Sequence, residues 1–116
     1  MTSDDDWKTT YEAEIQQAEQ ARLMGNEGMA RVCARRAAGA LVGEYFKRQG
    51  VRLGIDQDST SAYDRLRYLS KLPGISPQVA QAADLLLRRV TEEYNLPVEA
   101  DLIAEARWLR QELLGE

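Results

Sequence analysis

Apolar residues return along this chain at intervals of three and four, the period of a helix, and no stretch shows the strict alternation of a half-buried strand. The pattern predicts five helices. The first runs from about Asp5 to Met24, with Trp7, Tyr11, Ile15 and Ala18 as its apolar stripe. Asp4, Asp5 and Asp6 suit its N-terminus, where the helix dipole favours negative charge. GNEG at 25–28 breaks it, because Gly and Asn tolerate the left-handed conformation. The second helix runs from about Met29 to Gln49, and a loop of about ten residues, GVRLGIDQDS, follows. A short third helix spans about Thr60 to Leu72, with Ala62, Leu66 and Leu69 inward. Ser76 before Pro77 starts a fourth, with a capping hydroxyl and then proline at the first helical position. It continues to about Tyr94, with Val79, Ala83, Leu86, Val90 and Tyr94 on one face. After the break NLP, a fifth from about Glu99 to Leu114 buries Leu102, Ala106, Leu109 and Leu113.

Short connections favour antiparallel neighbours. The expectation is an all-α, up-down bundle of four long helices plus one short helix, a single domain over residues 1–116. In that order the start of the first helix and the end of the last share one end of the bundle. Trp7 and Trp108 are expected there, with the Gly25 turn at the other.

The second helix departs from ordinary amphipathicity. From Ala37 to Phe46 its only charged residue is Glu44, and an all-round apolar helix belongs in the middle of a bundle or in an oligomer interface. Gly39 and Gly43 lie four residues apart on one face. Each costs about 0.5–1 kcal/mol against alanine, a cost that close approach of another backbone would explain. Ala34, Ala37 and Ala38 extend the small surface. Whether that face packs within the chain or across a dimer is open at this level, and a two-fold homodimer is the expected oligomer. Arg35 and Arg36 are about 100° apart around the helix, so both can hardly be buried. Arg36 can pair with an acid of the first or last helix, the stems can lie over apolar surface with the heads in water, or a guanidinium can grip a phosphate in a bidentate manner. With Lys47 and Arg48 these arginines complete the candidate ligand or interface set: Arg35, Arg36, Gly39, Gly43, Lys47 and Arg48. Cys33 reads as a small buried hydrophobe.

Charge sharpens the picture. The net charge is −4, but residues 1–27 hold two basic and seven acidic side chains, residues 28–52 six and one, and residues 53–116 seven and eleven. The basic second helix therefore lies between acidic neighbours, as internal complementarity or as an anion-binding face. A pI near 4.9 argues against strong nonspecific nucleic-acid binding. The chain has no histidine and one cysteine. That removes the usual general base near neutral pH, Ser-His and Cys-His pairs, and histidine or thiolate metal sites, so no catalytic residue, cofactor or metal ligand is assigned. Asp56 and Asp58 form a D-x-D, but an EF-hand counted from Asp56 needs Gly and Glu where Ser61 and Arg67 stand. They read as turn and cap residues. No apolar run approaches the roughly 20 residues of a membrane span, and MTSDDDW is no secretory signal. A cytoplasmic location is the expectation.

The stretch RVCARRAAGALVGEYFKRQGV, with its small-residue run, aromatic end and closing basic-Gly turn, resembles the second helix of the HEPN superfamily of helical domains ("higher eukaryotes and prokaryotes nucleotide-binding"). YDRLRYLSKL is similar to that family's short helix after the loop, and EEYNLP to its aromatic-then-proline break before the last helix. The likeness covers about residues 7 to 114. It implies a bundle of four to five helices, often dimeric. Many members are ribonucleases of toxin–antitoxin or defence systems, with an R-x(4–6)-H motif near the start of the last helix. Here NLPVEADLIAEAR has no histidine, so no catalytic residue carries over. The resemblance then implies a noncatalytic binding or assembly domain, for a protein partner or a nucleotide- or RNA-like anion. A second resemblance, of AEQARLMGNEGMARVCARRAAGAL to one tetratricopeptide hairpin, would imply a peptide-binding module. It has no second copy at the repeat period, and a lone repeat cannot bury its faces. A histidine-free nuclease using carboxylates is the enzyme alternative.

Overall fold

The computed structural model describes residues 6–50, 61–87 and 101–116, and among them the only regular secondary structure is helix. Five helices follow one another: α1 (Asp6–Leu23), α2 (Glu27–Gln49), α3 (Ala62–Ser70), α4 (Pro77–Leu87) and α5 (Leu102–Leu114). None is long and apolar enough to cross a membrane. Asp56, Asp58, Val90 and Tyr94 lie outside the described residues, as does Glu99, the expected start of α5.

The helix starts follow capping chemistry. The Asn26 side chain accepts from the Met29 amide at 3.1 Å, so α2 begins two residues earlier than expected and Gly28 lies inside its first turn. Gly25 (φ +78°) makes the turn before it. Ser61 caps α3 through the Asp64 amide. Ser76 accepts from the Val79 amide at 3.2 Å, with Pro77 as the first residue of α4. Asp101 takes the Ile103 and Ala104 amides at 3.1 and 3.2 Å. That cap starts α5 at Leu102, three residues after the position periodicity suggested.

The apolar stripes bury as the pattern requires. Trp7, Tyr11, Ile15 and Ala18 of α1 meet Ala34, Ala37, Ala38, Leu41, Val42 and Phe46 of α2 in one core cluster. Leu66 and Leu69 of α3, Val79, Ala82, Ala83 and Leu86 of α4, and Leu102, Ile103, Ala106 and Leu109 of α5 complete it. Leu113 is only half-buried against that core, and Ile103, absent from the expected stripe, is buried. α2 is the central helix: all four of the others pack on it.

Ion pairs fix the direction of α5 against α1. Arg22 near the end of α1 reaches Asp101 at 3.0 Å, and Lys8 near its start reaches Glu116 at 3.2 Å. The two helices are antiparallel, as an up-down order requires. Trp7 sits at the end of the bundle that also holds Glu116. Trp108 does not share it. It lies at the middle of α5, between Arg107, which pairs with Glu19, and Arg110, which faces Glu12. The expectation that both indoles mark one end is corrected: α5 begins late and runs past Trp108 before it reaches the Trp7 end.

Candidate functional site

Gly39 and Gly43 are used inside the chain. A Cβ built on Gly39 would collide with the Ala62 Cβ and stand 2.7 Å from the Ala62 Cα, so the start of α3 lies too close to α2 for any side chain at 39. At Gly43 the same test meets the Arg65 guanidinium, with Nη1 at 2.7 Å. Arg65 also donates from Nη1 to the Gly39 carbonyl oxygen at 3.2 Å. The second glycine therefore makes room for a side chain rather than for a backbone.

The candidate cations on α2 do not converge. Arg35 is half-buried and donates from Nε to the Leu86 carbonyl oxygen at 2.8 Å, tying α2 to the end of the described part of α4. Arg36 is exposed and makes no ion pair among the described residues. Lys47 is exposed. Arg48 points to the Trp7 end, where it pairs with Glu44 at 2.9 Å and Glu116 at 3.5 Å. Cys33 is buried and free. Burial pushes its thiol up, Glu14 adds to the rise and Arg36 opposes it, so the nucleophilic thiolate is disfavoured.

An open concavity lies elsewhere. α1 and α5 both pack on α2 but scarcely touch each other. The gap between them is an open groove of about 690 Å³ along α1 from Tyr11 to Leu23. Its α1 wall carries Glu12, Gln16, Glu19 and Gln20, and its α5 wall Arg107, Arg110 and Gln111. Acids spaced by seven on α1 face arginines spaced by three on α5. Arg107 pairs with Glu19, and Arg110 Nη1 stands 3.9 Å from Glu12. One end of the groove holds Leu23, 80% exposed, beside Met24, 83% exposed. The other holds Tyr11, Arg110 and Glu116.

At that second end the cations gather round an indole. Lys8 Nζ, Arg48 Cζ and Arg110 Cζ lie 5.8, 5.9 and 5.4 Å from the Trp7 ring centroid, within cation–π range. Arg110 also lies 4.9 Å from the Tyr11 ring. Burial raises the Tyr11 hydroxyl pKa, against the opposing pull of Arg110. Lys8, followed by Arg48, holds the Glu116 carboxyl below its usual range. Trp7 Nε1 and Arg110 Nε are buried and make no hydrogen bond among the described residues.

No group of three or more His, Cys, Asp or Glu among the described residues is placed to hold a metal ion. Sequence reasoning missed the groove. The signal that could have found it is the i, i+7 acids of α1 set against the i, i+3 arginines of α5. No family model matches the chain, and no curated protein or solved structure is significantly similar to it.

Proposed function

We propose that the protein is a noncatalytic, HEPN-like binding and assembly domain that receives a protein partner along the α1–α5 groove. The observation that supports this reading most is the make-up of the groove. Its arginines already face carboxylates, its other polar groups are the amides of Gln16, Gln20 and Gln111 with Tyr11 and Glu116 at one end, and its rim ends in the exposed Leu23. Amides and neutralised ion pairs satisfy a polypeptide. A nucleotide would instead call for unpaired cations. Exposed large apolar side chains beside a groove are a feature of protein–protein surfaces.

A second copy of the chain is the first partner to test. Acids on one wall and arginines on the other make the groove self-complementary, as a two-fold interface demands. Glu12 and Glu19 of one copy can face Arg107 and Arg110 of the other. The Gly39/Gly43 face is a poor seam, because α3 of the same chain covers it. The absence of histidine supports the noncatalytic half: purified protein is expected to leave single-stranded RNA intact over hours, with or without Mg²⁺. Cleavage that survives repurification and disappears on changing one residue of this chain would return the enzyme reading. For the assembly half, sedimentation velocity should show a concentration-dependent dimer that weakens in Leu23→Ser, a change at a site too exposed to disturb the fold.

A further inference from the structure

The Trp7 end of the bundle holds three cations and three carboxylates, and one of the carboxylates differs from the others. Glu44 belongs to α2 and Glu12 to α1, so helices fix both. Glu116 follows Gly115, whose left-handed φ of +70° ends α5, and lies outside any helix. Its carboxylate is held by Lys8 at 3.2 Å and Arg48 at 3.5 Å, all three side chains being more than a third exposed. Exposed pairs of this kind are weak. Next to them lie two donors with no partner among the described residues, Trp7 Nε1 and Arg110 Nε, both buried. Glu116, held through these exposed pairs, is the carboxylate of the cluster most readily displaced.

We propose that Lys8, Arg48 and Arg110, gathered over Trp7, form a binding site for an external carboxylate, and that the Glu116 side chain is its internal competitor. Two arginine forks and an ammonium match the oxygens of a carboxylate, and the group that stands there now is one. The carboxylate can belong to a free dicarboxylate or to an acidic side chain on a peptide. The site lies at the groove's end, but the inference stands on its own geometry and does not need the groove to hold a partner.

The test is a titration followed by Trp7 fluorescence in a Trp108→Phe background, with succinate in one arm and a capped oligoglutamate peptide in the other. Glu116→Gln should tighten binding by about two- to fivefold, the effect of removing a weak internal pair. Lys8→Gln and Arg110→Gln should each weaken it by about tenfold or more, as loss of a charge-assisted hydrogen bond does. Lys8 is at the surface, so its variant reports on the site even if Arg110→Gln disturbs packing under Trp7. Saturation by succinate assigns a free carboxylate, saturation by the peptide alone assigns an acidic partner, and each supports the site. The proposal is overturned if neither saturates in the wild type or in Glu116→Gln. It is also overturned if binding ignores Lys8→Gln, if Glu116→Gln fails to tighten it, or if inorganic phosphate binds more tightly than either probe. None of these outcomes alters the sedimentation result, so the two readings fail separately.

Discussion

The two sides of α2 are closed by opposite means. On the α3 side, small residues let a second helix come down until Gly39 meets Ala62, and no room is left. On the α1–α5 side, long polar side chains hold two helices apart, and the space between them stays open. Burial of methyl groups and close backbone approach fix the first side. The second is fixed by α2 beneath it and laced by exposed ion pairs that contribute little. A face that is nearly free of polar residues invites a binding interpretation when read as sequence. Here such a face is consumed by the fold, and the open groove is lined mainly by polar and charged residues.

The comparison breaks most readily at Gly39. By helix propensity alone, Gly39→Ala would stabilise α2 by about 0.5–1 kcal/mol. Because the new methyl group meets the backbone of Ala62, the expected result is the reverse, a loss of about 1–3 kcal/mol in denaturant unfolding. A stabilised Gly39→Ala would mean that α3 does not cross there. Asp101→Ala comes next. It removes the cap of α5 and a partner of Arg22, and should cost about 1 kcal/mol by thermal unfolding at neutral pH.

The same carboxyl sets a pH dependence. Burial alone would raise its pKa, but hydrogen bonding and charge from Arg22, with the Ala104 and Ile103 amides, outweigh burial and hold it below the ordinary value. A depressed folded pKa contributes stability above the unfolded value, about 3.9, and that contribution is lost as pH falls through the folded value. Asp101→Asn should therefore flatten the acid limb of the stability profile below about pH 4. An unchanged limb would assign the acid dependence to other carboxylates.

Gly43→Ala should change stability by less than about 1 kcal/mol in either direction. The obstacle there is the far end of the flexible Arg65 side chain, which can swing aside at the cost of its bond to the Gly39 carbonyl. Its difference from Gly39→Ala separates a backbone crossing from a side-chain contact. The smallest effect belongs to the groove: Arg107→Ala removes an exposed pair and should move stability by no more than about 0.5 kcal/mol. A larger loss would make the groove wall part of the structural frame.

Much of the frame was legible in the sequence. The stripe Trp7–Tyr11–Ile15–Ala18 buries as its spacing requires, and Ser76–Pro77 starts α4 by the chemistry that its residue types announce. Of the two glycines four apart, Gly39 marks the close backbone approach that was expected and Gly43 admits the Arg65 side chain instead. The spacing could not say that the neighbours were Ala62 and Arg65, because those contacts depend on how α3 returns across α2. Arg35 and Arg36 behave as their 100° separation demands, one half-buried on a carbonyl and the other in solvent, but the bond to Leu86 is a tertiary fact with no local signature. Ile103 was missed because a stripe drawn through Leu102, Ala106 and Leu109 leaves out its flank, which is also buried. The groove was hidden because it belongs to neither helix alone: it exists where Glu12 and Glu19 come opposite Arg110 and Arg107, nearly the whole chain away.

Sedimentation velocity of the wild type beside Leu23→Ser and Arg107→Glu, from low to high micromolar concentration, tests the central claim most directly. If the open polar side is the assembly surface, the wild type dimerises with rising concentration. Both variants then remain monomeric at concentrations where the wild type has paired, with helical content unchanged by circular dichroism. A wild-type monomer throughout, or a dimer indifferent to both substitutions, would contradict it.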